Sequence, residues 1–226
     1  MPNNATLTLR VLARLLGYPD AELRAHLGEL QAALQSERVL GNARQAELEA
    51  LMKTMRTRDP IELEADYVQL FDRGRSTSLH LFEHVHGDSR DRGPAMIDLA
   101  QTYAQAGLYL AEGELPDYLP VVLEFVSTQP AKEARAFLGE MAHILNALFS
   151  ALVKRQSGYA SVLGALLEIA GERAQAVKVA EEPPLDESWE EPLAFGGCST
   201  EGQAKPGQPQ PVRIVRNAAQ GAAPGV

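Results

Sequence analysis

His80-Leu81-Phe82-Glu83-His84 spells H-x-x-E-H, the residue order of the inverted zinc peptidases. On a helix, residues four apart share a face, so two imidazoles can hold zinc while the glutamate acts as general base. A catalytic centre of this kind needs a third protein ligand. Glu112, Glu114, Glu124, Glu133, Glu140 and Glu168 all lie downstream, and nothing in their local sequence singles one out. With three fixed letters, the pattern is also easily met by chance on helices, so zinc hydrolysis stands as one alternative reading.

The same stretch is rich in arginine. Arg73, Arg75, Arg90 and Arg92 alternate with Asp72, Glu83, Asp88 and Asp91, and with the apolar Leu79, Leu81, Phe82 and Val85. Guanidinium forks match phosphate and carboxylate oxygens, and Ser76, Thr77 and Ser78 add hydroxyl donors, which suits anion binding. The four acids serve equally well as internal partners, so a self-satisfied ion-pair network is the competing account. No G-x-x-x-x-G-K-[ST] run occurs, which removes a P-loop nucleotide site. Cys198 has no cysteine or histidine at metal-ligand spacing, and no Ser-His-Asp or Cys-His set can be assigned.

A chain of 226 residues can position such a segment on one good-sized core, or on a core followed by a tail. Its 21 basic and 30 acidic residues leave a net charge of −9, which disfavours non-specific nucleic-acid binding and anionic membrane surfaces. A single cysteine forms no internal disulfide, and MPNNATLTLR has no long apolar signal core. Nothing approaches the roughly 20 apolar residues of a membrane span. A reducing, cytoplasmic setting is the expectation.

Helical periodicity dominates. Leu7, Val11, Leu12, Leu15 and Leu16 form one apolar stripe, broken by Gly17-Tyr18-Pro19, and Asp20 is placed to cap the next helix, marked by Leu23, Leu27, Leu30 and Leu34. A third helix carries Leu48, Leu51, Met52 and Met55. Asp59-Pro60 then pairs a capping residue with proline at a first helical position, opening a fourth through Ile61, Tyr67, Leu70 and Phe71. Gly93-Pro94 opens another, with Met96, Leu99, Tyr103 and Leu110. After Leu115-Pro116-Asp117 comes DYLPVVLEFVS. A single long helix is expected from Ala131 to Arg155, and a last one through Val162, Leu163, Leu166, Leu167 and Ile169 to Val177. Period-2 alternation is absent, so the fold class is all-α: one helical domain of about eight to ten helices.

From Glu181 the composition changes. Of the 46 residues to Val226, seven are proline and six glycine, with seven acids against three bases. Such a stretch buries too little apolar surface to offset its ordering entropy. The domain expectation is therefore 1–180 for the helices and 181–226 for a mostly disordered tail, interrupted by the apolar islands WEEPLAF and VRIVR.

Two blocks carry a resemblance. Phe71-Asp72-Arg73-Gly74 followed by Ser78 to Gly93 (SLHLFEHVHGDSRDRG) resembles the signature of the respiratory nitrate reductase assembly chaperones, the delta-subunit type. Glu114 to Phe125 (ELPDYLPVVLEF) is similar to that family and to the wider group of molybdoenzyme chaperones, with Tyr118 where the wider group has histidine. Trp189-Glu190-Glu191-Pro192 is also similar to the nitrate reductase branch, and the likeness spans about residues 7 to 197.

The resemblance implies a cytoplasmic, all-helical, non-catalytic chaperone with no cofactor of its own and no place in the finished enzyme. Its partner would be the immature catalytic (alpha) subunit of nitrate reductase, gripped chiefly by its N-terminal segment and held ready for molybdenum cofactor insertion. Cofactor-delivery proteins are further candidate partners; nucleic acid and direct membrane insertion are not expected. On this reading a groove between helices is lined by Tyr67, Phe71, Phe82, Leu119 and Leu123 and rimmed by Arg73, His80, Glu83, His84, Arg90 and Glu124. The rival readings are a zinc hydrolase built on His80, Glu83 and His84, and a generic helical scaffold.

Overall fold

The computed structural model describes residues 5–87 and 89–175, which form a single helical domain. Ten α-helices are present among them: α1 (Thr6–Leu16), α2 (Ala21–Glu37), α3 (Asn42–Thr57), α4 (Pro60–Tyr67), α5 (Leu81–Val85), α6 (Arg92–Gln105), α7 (Leu119–Thr128), α8 (Ala131–Glu140), α9 (Ala142–Lys154) and α10 (Ala160–Ala170). No strand occurs among the described residues, only an isolated antiparallel bridge between His80 and Tyr118. No single helix among them is long and apolar enough to cross a membrane.

The helix starts obey their local chemistry. The Asp20 carboxylate accepts from the Leu23 amide at 2.7 Å, and Asp59 accepts from Ile61 and Glu62 at 3.0 and 3.2 Å with Pro60 in the first turn. Helix α1 begins after Ala5, whose methyl group cannot accept a capping hydrogen bond. Glu37, at the far end of α2, fills the need, accepting from the amides of Leu7 and Thr8 and from the Thr8 hydroxyl. The α1–α2 hairpin is thereby tied at its open end.

The core is built on α1 and α10. Leu9, Leu12, Leu15 and Leu16 of α1 are buried against α7, α2 and α10, while α10 packs on α9, α8 and α3. Each fully buried leucine contributes about 1.5–3 kcal/mol, and Leu12, Leu15, Leu16, Leu123, Leu148, Leu163 and Leu166 have no exposed surface.

Four sequence expectations change. The single helix expected over Ala131–Arg155 is two, α8 and α9, bent by 65°. Met141 sits at the break with φ −88° and ψ 0°, two residues after the helix-weakening Gly139. The bend lets both arms lie on α10, and because the apolar stripe continues across it, periodicity alone could not reveal it. Phe71 lies beyond α4, in a π-helical turn, Val68–Asp72. Leu110 lies in a loop: α6 stops at Gln105, and Gly107 takes a φ of +79°. Helix α10 ends at Gly171 with φ +82°, short of Val177. Val177, Trp189, Cys198 and the tail expected over 181–226 lie outside the described residues.

Candidate functional site

After the π turn the chain reverses through Gly74 and a short 3-10 turn, Arg75–Thr77. Thr77 is fully buried and its hydroxyl donates to the carbonyls of Leu70 and Gly74, which pins the turn. A Cβ on residue 74 would sit 2.9 Å from the Leu70 carbonyl oxygen, so only glycine fits there. This turn delivers Ser78-Leu79-His80 alongside Pro116–Leu119. The Leu119 amide donates to Leu79 at 2.8 Å and the Leu81 amide to Asp117 at 3.0 Å, forming the bridge across His80 and Tyr118.

Asp117 is the centre of this junction. Its side chain has no exposure, yet it meets three elements: Oδ1 lies 3.4 Å from His80 Nδ1, Oδ2 accepts from the Phe82 amide at 3.1 Å, and Oδ2 is 3.7 Å from the Arg92 guanidinium. A buried carboxylate without such partners would cost several kcal/mol, so His80, Arg92 and the start of α5 hold the charge jointly. Arg92 also reaches Glu83 at 3.4 Å. Hydrogen bonding to Asp117 raises the His80 pKa above the ordinary histidine value, against a smaller opposing effect of burial. His84 points elsewhere and donates from Nε2 to the Ser78 carbonyl at 2.8 Å. Tyr103 donates to the Pro116 carbonyl at 2.8 Å from below.

Next to this polar hub stands an aromatic cluster. Tyr67 packs on Phe71 (centroids 4.8 Å), Tyr18 (5.5 Å) and Tyr159 (6.0 Å), and Tyr118 packs on His80 (5.3 Å). The Tyr67 hydroxyl donates to the Leu16 carbonyl at 2.7 Å and lies 3.3 Å from the Tyr118 hydroxyl. Burial, first among the causes, pushes the Tyr67, Tyr118 and Tyr159 phenols upward, so all three are neutral at physiological pH. Tyr67 and Tyr118 share a hydrogen bond, whereas the buried Tyr159 hydroxyl has no hydrogen-bond partner among the described residues and the residue serves by ring packing. Between cluster and hub opens a cleft of about 490 Å³ lined by Tyr18, Tyr67, Phe71, Asp72, Leu79, His80, Gly113, Glu114, Leu115 and Tyr118. Tyr18 and Leu115 are nearly half-exposed within it. Apolar walls with a few convergent polar groups are what a small recognition site requires.

The expected groove residues do not form one surface. Tyr67, Phe71 and His80 line the cleft together. Arg73 is exposed on the adjoining turn, 3.4 Å from the Gln69 side chain. Phe82 is half-buried against His86, Glu83 is paired with Arg92, and Arg90 is exposed. Leu119 and Leu123 are corrected outright: both are fully buried, because α7 presents that face to α1. Glu124 is on another face of α7, at a second cavity of about 420 Å³ with Arg10, Arg14, Tyr103, Tyr109 and Phe125. The groove expected from the sequence omits Asp117, Tyr118 and Tyr18, while Arg92, there a candidate for anion binding or internal pairing, pairs with Glu83 and Asp117. The available signal was Asp117 itself, an acid set among Leu115, Pro116, Tyr118 and Leu119 in a stretch otherwise fit for burial.

The H-x-x-E-H letters also read differently in three dimensions. His80 precedes α5 with extended backbone, so it shares no helix face with His84, and the two rings and Glu83 each turn to a separate partner. Among the described residues no group of three or more histidine, cysteine, aspartate or glutamate side chains is arranged to hold a metal ion.

Comparison with known proteins agrees with this architecture. The nitrate reductase molybdenum cofactor assembly chaperone NarJ of Escherichia coli K12 is 42% identical over 195 residues, covering 82% of this chain and 83% of that protein. A Bacillus subtilis protein named for the same role is 36% identical over 162 residues, 71% of this chain and 86% of its own. The crystal structure of an Archaeoglobus fulgidus protein described as a redox enzyme maturation protein superposes with a TM-score of 0.54 at 20% identity, covering 74% of this chain and 94% of that one, and so shares the fold. The family described as nitrate reductase delta subunit matches residues 18–163, a span that holds the aromatic cluster, the Asp117 hub and the cleft between them, and this chain belongs to that family.

Proposed function

We propose that this protein is a cytoplasmic assembly chaperone that binds the immature catalytic subunit of nitrate reductase through that subunit's N-terminal segment, and keeps it competent for molybdenum cofactor insertion. The observation that carries the reading is the cleft itself: an opening of about 490 Å³, aromatic on its walls and polar at one end, whose lining lies wholly within the matched residues 18–163 and comes mostly from the two blocks that carry the resemblance. A short segment presenting an apolar face would bury Tyr18 and Leu115 and dock beside the Asp117 hub, in the manner of helix-in-groove recognition. The named activity of the relatives supports the choice of client.

The chemistry of the site supports holding rather than catalysis. Its histidines are engaged in structural hydrogen bonds, and its tyrosines are held neutral by burial. The protein would therefore act by binding and release and would leave the finished enzyme. The test is capture from nitrate-respiring cells that cannot synthesise the cofactor. Immature catalytic subunit should accumulate on the tagged chaperone there and decline when cofactor synthesis is restored; equal, trace recovery in both strains would overturn the proposal.

A further inference from the structure

The cleft has aromatic walls, but its charge is one-sided. Asp72 lines it, is exposed, and makes no ion pair among the described residues. Glu114, also exposed, accepts from the Ala111 amide through Oε2 at 2.9 Å and makes no ion pair among those residues, although it also borders the second cavity, which Arg10 and Arg14 help to line. Just outside, Glu64 accepts from the Tyr18 hydroxyl at 3.0 Å. Of the described lining residues only His80 can carry positive charge, and its Nδ1 already faces Asp117. Arg73, the neighbour of Asp72, reaches toward Gln69 instead. The negative field is felt by the walls: Asp72 contributes to the upward pKa shifts of Tyr18, Tyr67 and Tyr118, behind larger effects of burial and hydrogen bonding.

We infer that the cleft accepts a lysine or arginine side chain of the client segment, its charge neutralising Asp72 and Glu114 and its stem lying on Tyr18, Leu115 and Tyr118. This rests on the client reading above and adds the chemistry of one contact within it. Long cationic side chains cover apolar surface with their methylenes while their heads stay near water and carboxylates. The face of a tyrosine ring attracts the same charge. An acidic side chain would be repelled here, and a wholly apolar one would leave both carboxylates uncompensated beside a drier surface.

Calorimetry on the full chain with two synthetic peptides of the catalytic subunit's N-terminal segment decides the matter. One is native; in the other each arginine is citrulline and each lysine acetyl-lysine, which keeps the stems and removes the charge. The native peptide should bind at least fivefold more tightly at low salt, and the advantage should shrink at high salt. Asp72→Asn should remove most of that advantage while binding the neutral peptide as the unaltered chain does. Glu133→Gln, an exposed carboxylate on α8, should leave the advantage in place. Equal binding of the two peptides overturns the inference alone. So does an effect of Glu133→Gln as large as that of Asp72→Asn, which would assign the preference to the overall charge of −9. Binding of neither peptide overturns the client reading and this inference together.

Discussion

The two regions that frame the cleft are held by different physics. The α1–α7–α10 core is almost wholly apolar, and its leucines interlock over many helices. The Asp117 junction is polar and rests on one carboxylate that ties His80, the start of α5 and Arg92 to the entry of α7. Damage to the first is spread over the whole domain and lowers global stability. Damage to the second is local and should unfasten residues 78–92 while the core stays folded. The cleft lies on the seam between the two, so it inherits shape from the core and its polar end from the junction.

The largest stability effect is expected in the core. Leu12→Ala should cost about 2–5 kcal/mol in denaturant unfolding, with the folded fraction binding client as before. If it lost affinity while remaining folded, the division of labour between the two regions would break. Asp117→Asn should cost less, about 1–3 kcal/mol, because the amide oxygen can still accept from Phe82 while His80 and Arg92 lose their charge partner. Its signature should be local: hydrogen exchange at Leu81, Phe82 and Leu119 should accelerate more than the global stability loss requires. Uniform acceleration across α1 and α10 would instead show the hub to be part of the core.

Tyr67→Phe should be milder, about 0.5–1.5 kcal/mol, since it removes one buried hydroxyl from Leu16 and Tyr118 but keeps the ring contacts with Phe71 and Tyr159. Thermal melts of this variant alone and combined with Tyr118→Phe would show whether the two hydroxyls act as a pair. The smallest effect is the pH dependence from His80. Its pKa is raised in the folded protein, so its contribution is fully present below the ordinary histidine value of about 6.5 and is lost as pH rises through the higher folded value. The stability difference between the unaltered chain and His80→Gln should therefore narrow from mildly acidic to mildly alkaline pH. A difference that widens with pH would contradict the assigned Asp117 contact.

The legible part of the fold was the part encoded locally. Asp20, Asp59 and Pro60 announce helix starts because a cap is a contact over two or three residues, and the stripe Leu12, Leu15, Leu16 announces a buried face. The bend at Met141 was hidden because the apolar spacing before and after it is continuous; the third helix that both arms pack against decides it. Of the expected groove residues, Tyr67, Phe71 and His80 do meet at one cleft, whereas Leu119 and Leu123 face α1, since an apolar residue beside a motif looks the same whether it faces a cleft or a neighbouring helix. For Asp117 the local pattern offers only an acid in an apolar stretch; its partners lie 25 to 37 positions away in the chain, and no local pattern names them.

A client segment docked in the cleft between Tyr18 and Leu115 must draw affinity from the side chains at its two edges. Calorimetric titration of the catalytic subunit's N-terminal peptide into Tyr18→Ala, Leu115→Ala and Tyr109→Ala tests this requirement most directly, because all three side chains are substantially exposed and their loss should spare the fold. The account predicts affinity at least tenfold weaker, about 1.4 kcal/mol, for the first two and unchanged for Tyr109→Ala, which alters only the second cavity. Unaltered binding by the Tyr18 and Leu115 variants, with a loss confined to Tyr109→Ala, would contradict it and move recognition to the face formed by Arg10, Tyr103 and Glu124.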